Sequence, residues 1–103
     1  MAEKDKEPDR RRVFRGRMSA AVELLDSEDR PTSARIIDLN ILGCRVYVGY
    51  TLPKGTRVKV RITHKDEVFE AAGEVVWSGM NATGIAFKEY TAENEEILDR
   101  WLA

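Results

Sequence analysis

Five arginines, Arg10, Arg11, Arg12, Arg15 and Arg17, fall within eight residues, and no acid interrupts them. Arginine stays charged at every working pH, and its planar fork offers paired N–H donors to an oxyanion. Such a run is an anion site when a fold stands behind it and a solvated basic linker when none does. The opposite charge gathers elsewhere: Glu89, Glu93, Glu95, Glu96 and Asp99 share one stretch that holds no base. The formal net charge is only −1, so the molecule as a whole does not attract nucleic acid. Segregated charge of this kind points to a local anion site rather than a uniformly basic surface. The other reactive side chains are few. Cys44 and His64 are the single cysteine and the single histidine, too little for a zinc site. A lone cysteine forms no internal disulfide, which agrees with a reducing compartment. Cys44 reads as a small core residue and His64 as a surface one. No Ser-His-Asp or Cys-His set and no paired carboxylates in a sheet context emerge, so neither catalysis, a metal nor a cofactor is expected.

The chain has 103 residues, 43% apolar and 34% charged, enough for one soluble domain. No apolar run nears the roughly 20 residues of a membrane span, so no membrane insertion is expected. The polar N-terminus is not a secretory signal, and a cytoplasmic location is expected. Residues 1–9 carry alternating charge and read as disordered. Residues 10–103 form one domain, with an arginine arm at 10–17, a barrel at 18–88 and a helix at 91–102. Strands are predicted at Met18–Asp26, Ser33–Leu39, Cys44–Tyr50, Thr56–His64, Val68–Trp77 and Thr83–Phe87. The fourth is the cleanest: Val58, Val60 and Ile62 alternate with Arg57, Lys59 and Arg61. Leu52-Pro53-Lys54-Gly55 and Lys65-Asp66 are turn signals, and Gly73 marks a bulge or bend inside the fifth strand. In the last segment Thr91 is the predicted N-cap with Asn94 at N3, and Ile97, Leu98, Trp101 and Leu102 make one apolar face. Six short strands followed by an amphipathic helix predict an all-β fold: a closed or nearly closed six-stranded antiparallel barrel with a C-terminal α-helix across one opening.

Arg11 to Arg15 resembles the Arg-x-x-x-Arg signature that opens PilZ domains. Asp38-Leu39-Asn40-Ile41-Leu42-Gly43, some twenty residues on, resembles the second PilZ signature, Asp/Asn-x-Ser-x-x-Gly. Gly73–Trp77 with Gly84–Phe87 looks like the family's late strand pair, and Leu98–Leu102 like its closing helix. Each motif alone is generic; their order and spacing on this set of elements make the resemblance specific, over residues 9 to 103. It implies a PilZ-like barrel of the split-barrel type that receives the second messenger cyclic di-GMP. One position departs from the pattern, since Asn40 stands where serine is usual.

The resemblance assigns ligand binding to Arg10, Arg11, Arg15, Asp38, Asn40 and Gly43. Arginine suits this ligand twice over, pairing with phosphate oxygens and donating to guanine O6 and N7. Asp38 is placed to accept from guanine N1–H and N2–H₂, or to cap its own turn. Asn40 either meets a base edge or stabilises the turn. Gly43 reads as a backbone requirement, through positive φ or close approach. Trp77, at a strand end, is a candidate to stack on guanine, with rim packing as the competing reading. Arg45 is a further candidate on the face of Asp38. The implied function is a single-domain receptor whose arginine arm orders on the ligand and which signals to a downstream protein partner in motility, pili or exopolysaccharide control. One alternative is a PilZ-like interaction module with weak or lost ligand binding, motivated by Asn40. Another is a small barrel for single-stranded nucleic acid, motivated by the basic run and Trp77 but opposed by the net charge and an 8% aromatic content.

Overall fold

The computed structural model describes residues 20–103 and, as backbone, Phe14 and Arg15. The expected disorder of residues 1–9, the side chains of Arg10, Arg11 and Arg15, and the predicted strand start at Met18 lie outside the described residues. Within them the strands are β1 (Phe14–Arg15), β2 (Ala20–Leu25), β3 (Pro31–Asn40), β4 (Gly43–Tyr47), β5 (Arg57–His64), β6 (Glu67–Ser78) and β7 (Thr83–Glu89), followed by helix α1 (Ala92–Leu102). Every pairing is antiparallel, and the ladder β2-β5-β6-β7-β4-β3 returns to β2. This is the expected closed six-stranded barrel with a C-terminal helix. Closure leaves no long free edge.

The arginine run supplies what the six-strand expectation lacked. Its centre forms the two-residue β1, which pairs with β3 through Phe14↔Leu39 and Arg15↔Asp38. The same two β3 residues pair with β4 on their other side, so β1 occupies the edge that β2 leaves free above Ala34. Boundaries moved as well. Strand β3 starts at Pro31, a residue tolerated at a strand's first position because no ladder hydrogen bond is asked of it. Strand β4 stops at Tyr47, short of Tyr50, because the chain bends at Gly49 and Tyr50.

The turns follow local chemistry. Asp26 Oδ1 accepts from the N–H groups of Glu28 and Arg30 at 2.8 and 2.9 Å, which holds Asp29 at a φ of 63°. At the Pro53 turn Gly55 takes a φ of 94° and Thr56 N–H donates to the Pro53 carbonyl at 3.1 Å. Inside the barrel, Val58, Val60 and Ile62 are buried while Arg57 and Lys59 are exposed, as their alternation predicts. Phe69, fully enclosed, meets the rings of Phe87, Tyr90 and Trp101.

Helix α1 closes the end of the barrel near the β5–β6 hairpin with Leu98, Trp101 and Leu102. Each such side chain contributes about 1.5–3 kcal/mol on full burial. Thr91 Oγ1 accepts from Asn94 N–H, the predicted cap. Asn94 also accepts the Glu70 N–H at 2.8 Å, tying the first turn of the helix to β6. His64 is not a plain surface residue: it is half-buried, edge-on to Trp101 at 5.4 Å between ring centroids.

Candidate functional site

Register turns scattered residues into a row. Arg15 on β1 is opposite Asp38 on β3, Asp38 is opposite Arg45 on β4, Arg45 is opposite Gly84 on β7, and Gly84 is opposite Trp77 on β6. The neighbouring row, Leu39, Cys44, Ile85 and Val75, is buried in the barrel. Side chains alternate across a sheet, so the Asp38–Trp77 row lies on the outer wall.

Two β-bulges create this alignment. The β3–β4 register shifts between Ile36 and Asp38, and the β6–β7 register shifts between Val75 and Trp77. In each case one extra residue, Ile37 or Val76, is inserted before the site residue. Regular alternation from buried Ile36 and buried Val75 would send Asp38 and Trp77 into the core. The extra residue reverses that parity and brings both to the surface, the re-aiming role that bulges have next to binding sites.

The row and the β3–β4 turn line a shallow groove of ≈ 360 Å³ that includes Asp38, Asn40, Gly43, Arg45, Trp77 and Gly84. Arg45 donates Nε and Nη2 to Oδ2 of Asp38 at 2.8 and 2.5 Å. Those hydrogen bonds, then the Asp38 charge, hold the Arg45 guanidinium above its usual range. Asn40 Oδ1 accepts from the N–H groups of Leu42 and Gly43 at 2.7 and 3.2 Å, so it stabilises the turn. A serine hydroxyl performs the same task, which explains why the departure from the motif leaves the turn intact. The Asn40 amide nitrogen keeps its donors, with no partner among the described residues. Gly43 is required by close approach and not by positive φ, since a Cβ there would lie 2.1 Å from the Ile85 carbonyl oxygen.

Gly84 is the site residue that sequence reasoning missed. A Cβ at Gly84 would meet the Trp77 indole at 2.3 Å from Nε1 and 2.5 Å from Cε2, so the ring lies flat on the bare backbone of β7. Trp77 is nevertheless 42% exposed, presenting its other face outward. The residue type at position 84 was the only available signal, and it needed the register to be read. Beneath the row, Cys44 is inert: burial, reinforced by the Asp38 charge, pushes its thiol from 9.0 up to about 12.

Other candidates fall away. Arg61 is paired with Glu70 and Glu23, and Arg57 is opposite Glu74 in register, so the β5 stripe is a wet face with acids set among its bases. A roomier depression of ≈ 500 Å³ mixes Arg57, Lys59 and Lys88 with Asp26, Glu74 and Glu89, which makes no net anion site. Among the described residues no acidic, histidine or cysteine group could hold a metal, and no helix is long and apolar enough to cross a membrane.

The fold is similar to the PilZ domain of YcgR from Escherichia coli, solved with c-di-GMP, at a TM-score of 0.66 and 16% identity over 90% of this chain and 88% of that one. It is also similar to an uncharacterized Legionella protein, Lpg0364, at a TM-score of 0.64 and 16% identity over 86% and 88% of the two chains. At this identity the likeness is one of fold. No curated protein matches the chain. The PilZ domain family model matches residues 9–103, a span that contains the arginine run, the Asp38–Gly43 turn, the barrel and the closing helix; the chain belongs to the PilZ domain family.

Proposed function

We propose that this chain is a receptor for cyclic di-GMP that acts by binding and not by catalysis. The observation that carries the reading is the outer-wall row itself. It sets a carboxylate, a guanidinium and an open indole face in line with the backbone of Arg15. In this reading Arg10, Arg11 and Arg15 grip phosphates and guanine edges. Asp38 accepts from guanine N–H donors, Asn40 offers its amide nitrogen, Gly43 lets the turn seat against β7, and Trp77 stacks on a base. Family membership and the YcgR likeness support the ligand class. Ordering of the arginine arm on the ligand then changes the exposed surface for a downstream protein partner in a bacterial cytoplasm, with motility, pili or exopolysaccharide production as the controlled output.

Titration calorimetry with cyclic di-GMP tests this. Binding is expected, and Arg11→Ala and Arg15→Ala should each weaken it about tenfold to a hundredfold, as loss of a charge-assisted contact does. No heat and no thermal shift at saturating ligand would sink the reading. Tight binding that survives both substitutions would refute the assigned arginines.

The second reading, an interaction module with weakened ligand binding, is favoured by two commitments already made inside the groove. Arg45 occupies Asp38 Oδ2, and the turn occupies Asn40 Oδ1. Asn40→Ser separates the two. A large gain in affinity supports the weakened module, and an unchanged affinity supports the competent receptor.

A further inference from the structure

The Asp38–Arg45 pair is lopsided. Both donors of the Arg45 fork go to one oxygen, Oδ2, and among the described residues nothing bonds Oδ1. The Asp38 side chain is 15% exposed, whereas that of Arg45 is 43% exposed. The acid is therefore mostly enclosed and held at one oxygen, and among the described residues its other oxygen has no partner. An unclamped carboxylate on a strand turns freely between its rotamers. The clamp comes from the facing strand, through the register Asp38↔Arg45 that the Ile37 bulge creates.

We propose that Arg45 is a positioning residue that makes the site selective for guanine, acting through Asp38; this rests on the cyclic di-GMP reading above. Guanine presents N1–H and N2–H₂ side by side as donors. Hypoxanthine keeps N1–H but lacks the amino group. Adenine presents an acceptor at N1, which a fixed carboxylate oxygen repels. A held acceptor discriminates sharply between these edges, because the wrong base leaves a desolvated acceptor oxygen without a donor. A swivelling one does not. Lysine at position 45 keeps the charge without the fork, so it restores the clamp in part.

The experiment measures dissociation constants for cyclic di-GMP, cyclic di-IMP and cyclic di-AMP with the unsubstituted chain, Arg45→Met, Arg45→Lys and Asp38→Asn. The unsubstituted chain should prefer cyclic di-GMP by about tenfold or more over either analogue. Arg45→Met and Asp38→Asn should weaken cyclic di-GMP most, weaken cyclic di-IMP less because it keeps only N1–H, and leave cyclic di-AMP unweakened, so that the preference collapses; Arg45→Lys should fall between. A preference preserved in Arg45→Met overturns the proposal, as does an equal loss for all three ligands, which marks a merely structural or electrostatic role. If Arg45→Met melts below the assay temperature, Arg45→Lys carries the test, and an undiminished preference there overturns it. Failure of the unsubstituted chain to bind cyclic di-GMP overturns the reading beneath it and the proposal together.

Discussion

Replacing Gly84 with alanine tests whether the indole seat on β7 is real and whether it serves binding. The added methyl would lie 2.3, 2.5 and 2.8 Å from Nε1, Cε2 and Cδ1 of Trp77. Comfortable contact needs about 3.5–4.0 Å, so the ring must retreat by more than about 1 Å. The obstacle is a side chain with 42% of its surface already open, so it has somewhere to go. Overpacking costs about 1–3 kcal/mol, offset by roughly 0.4–1 kcal/mol from the stiffer unfolded chain. A net loss of about 1–2 kcal/mol lowers Tm by roughly 5–15 °C. Gly43→Ala should be much worse, since its methyl would meet the Ile85 carbonyl oxygen at 2.1 Å and the Ile85 and Ala86 backbone at 3.1 Å. The β4–β7 ladder would have to open, at a cost above about 3 kcal/mol. Gly49→Ala meets nothing within 4 Å and serves as the neutral control. Lifting the indole should red-shift its emission, with Trp101, buried on the barrel-facing side of the helix, as a constant background. If the ring is a stacking platform, affinity for cyclic di-GMP should fall by about 5- to 150-fold, the worth of one base–aromatic stack. Unchanged emission with unchanged Tm would refute the seat. A shifted emission with unchanged affinity would confine Trp77 to packing.

Two further outcomes follow from the same structure. The Cys44 thiol is raised from 9.0 to about 12 by burial and the nearby Asp38 charge, so the folded chain keeps a proton that the unfolded chain releases. The thiol's contribution to stability should be constant below pH 9 and decline between pH 9 and about 12, by at most about 1.4 kcal/mol per pH unit. Cys44→Ala should show a shallower decline than the unsubstituted chain in denaturant melts, with the raised Tyr90 hydroxyl contributing to what remains, and a thiol reagent at pH 8 should label the native protein only through unfolding. Asn94→Ala removes the acceptor for the Glu70 N–H and a partner of Thr91 Oγ1 together. It should cost about 1–3 kcal/mol, measured by thermal melts, whereas Asn94→Asp, which keeps the acceptor, should retain most of that.

Much of the barrel was legible because its signals are local. The alternation of Val58, Val60 and Ile62 with charged neighbours fixes which face of β5 is buried. Thr91, Asn94 and the Leu98–Trp101–Leu102 face announce the helix and its docking side. The Asp38–Gly43 turn was legible as well, because Asn40 bonds the N–H groups two and three residues ahead and needs no distant partner. What stayed hidden depends on residues far apart in sequence. Asp38 meets Arg45 and Trp77 covers Gly84 only once four strands are in register. The short β1 was hidden for a related reason, since two residues carry no period of their own.

The bulges at Ile37 and Val76 explain why alternation misleads at the site while it succeeds elsewhere. Counting by twos from buried Val75 assigns Trp77 to the core, where a tryptophan is no surprise. Counting by twos from buried Ile36 assigns Asp38 to the core too, where an unpaired carboxylate would be costly. That conflict was itself a signal: a strand whose period puts an acid inside needs either a buried partner or an extra residue. The structure uses the extra residue, and uses it twice, on β3 and on β6. The two bulges flank β4 and β7, and the bare Gly84 between Arg45 and Trp77 lets the indole lie flat where any side chain would hold it off. A row of acid, guanidinium and open ring therefore arises from two local departures from the strand pattern and one missing side chain. The arginine run becomes informative by the same logic. Its charge alone marks only an anion site, but the backbone pairing of Arg15 with Asp38 brings the run to the end of that row.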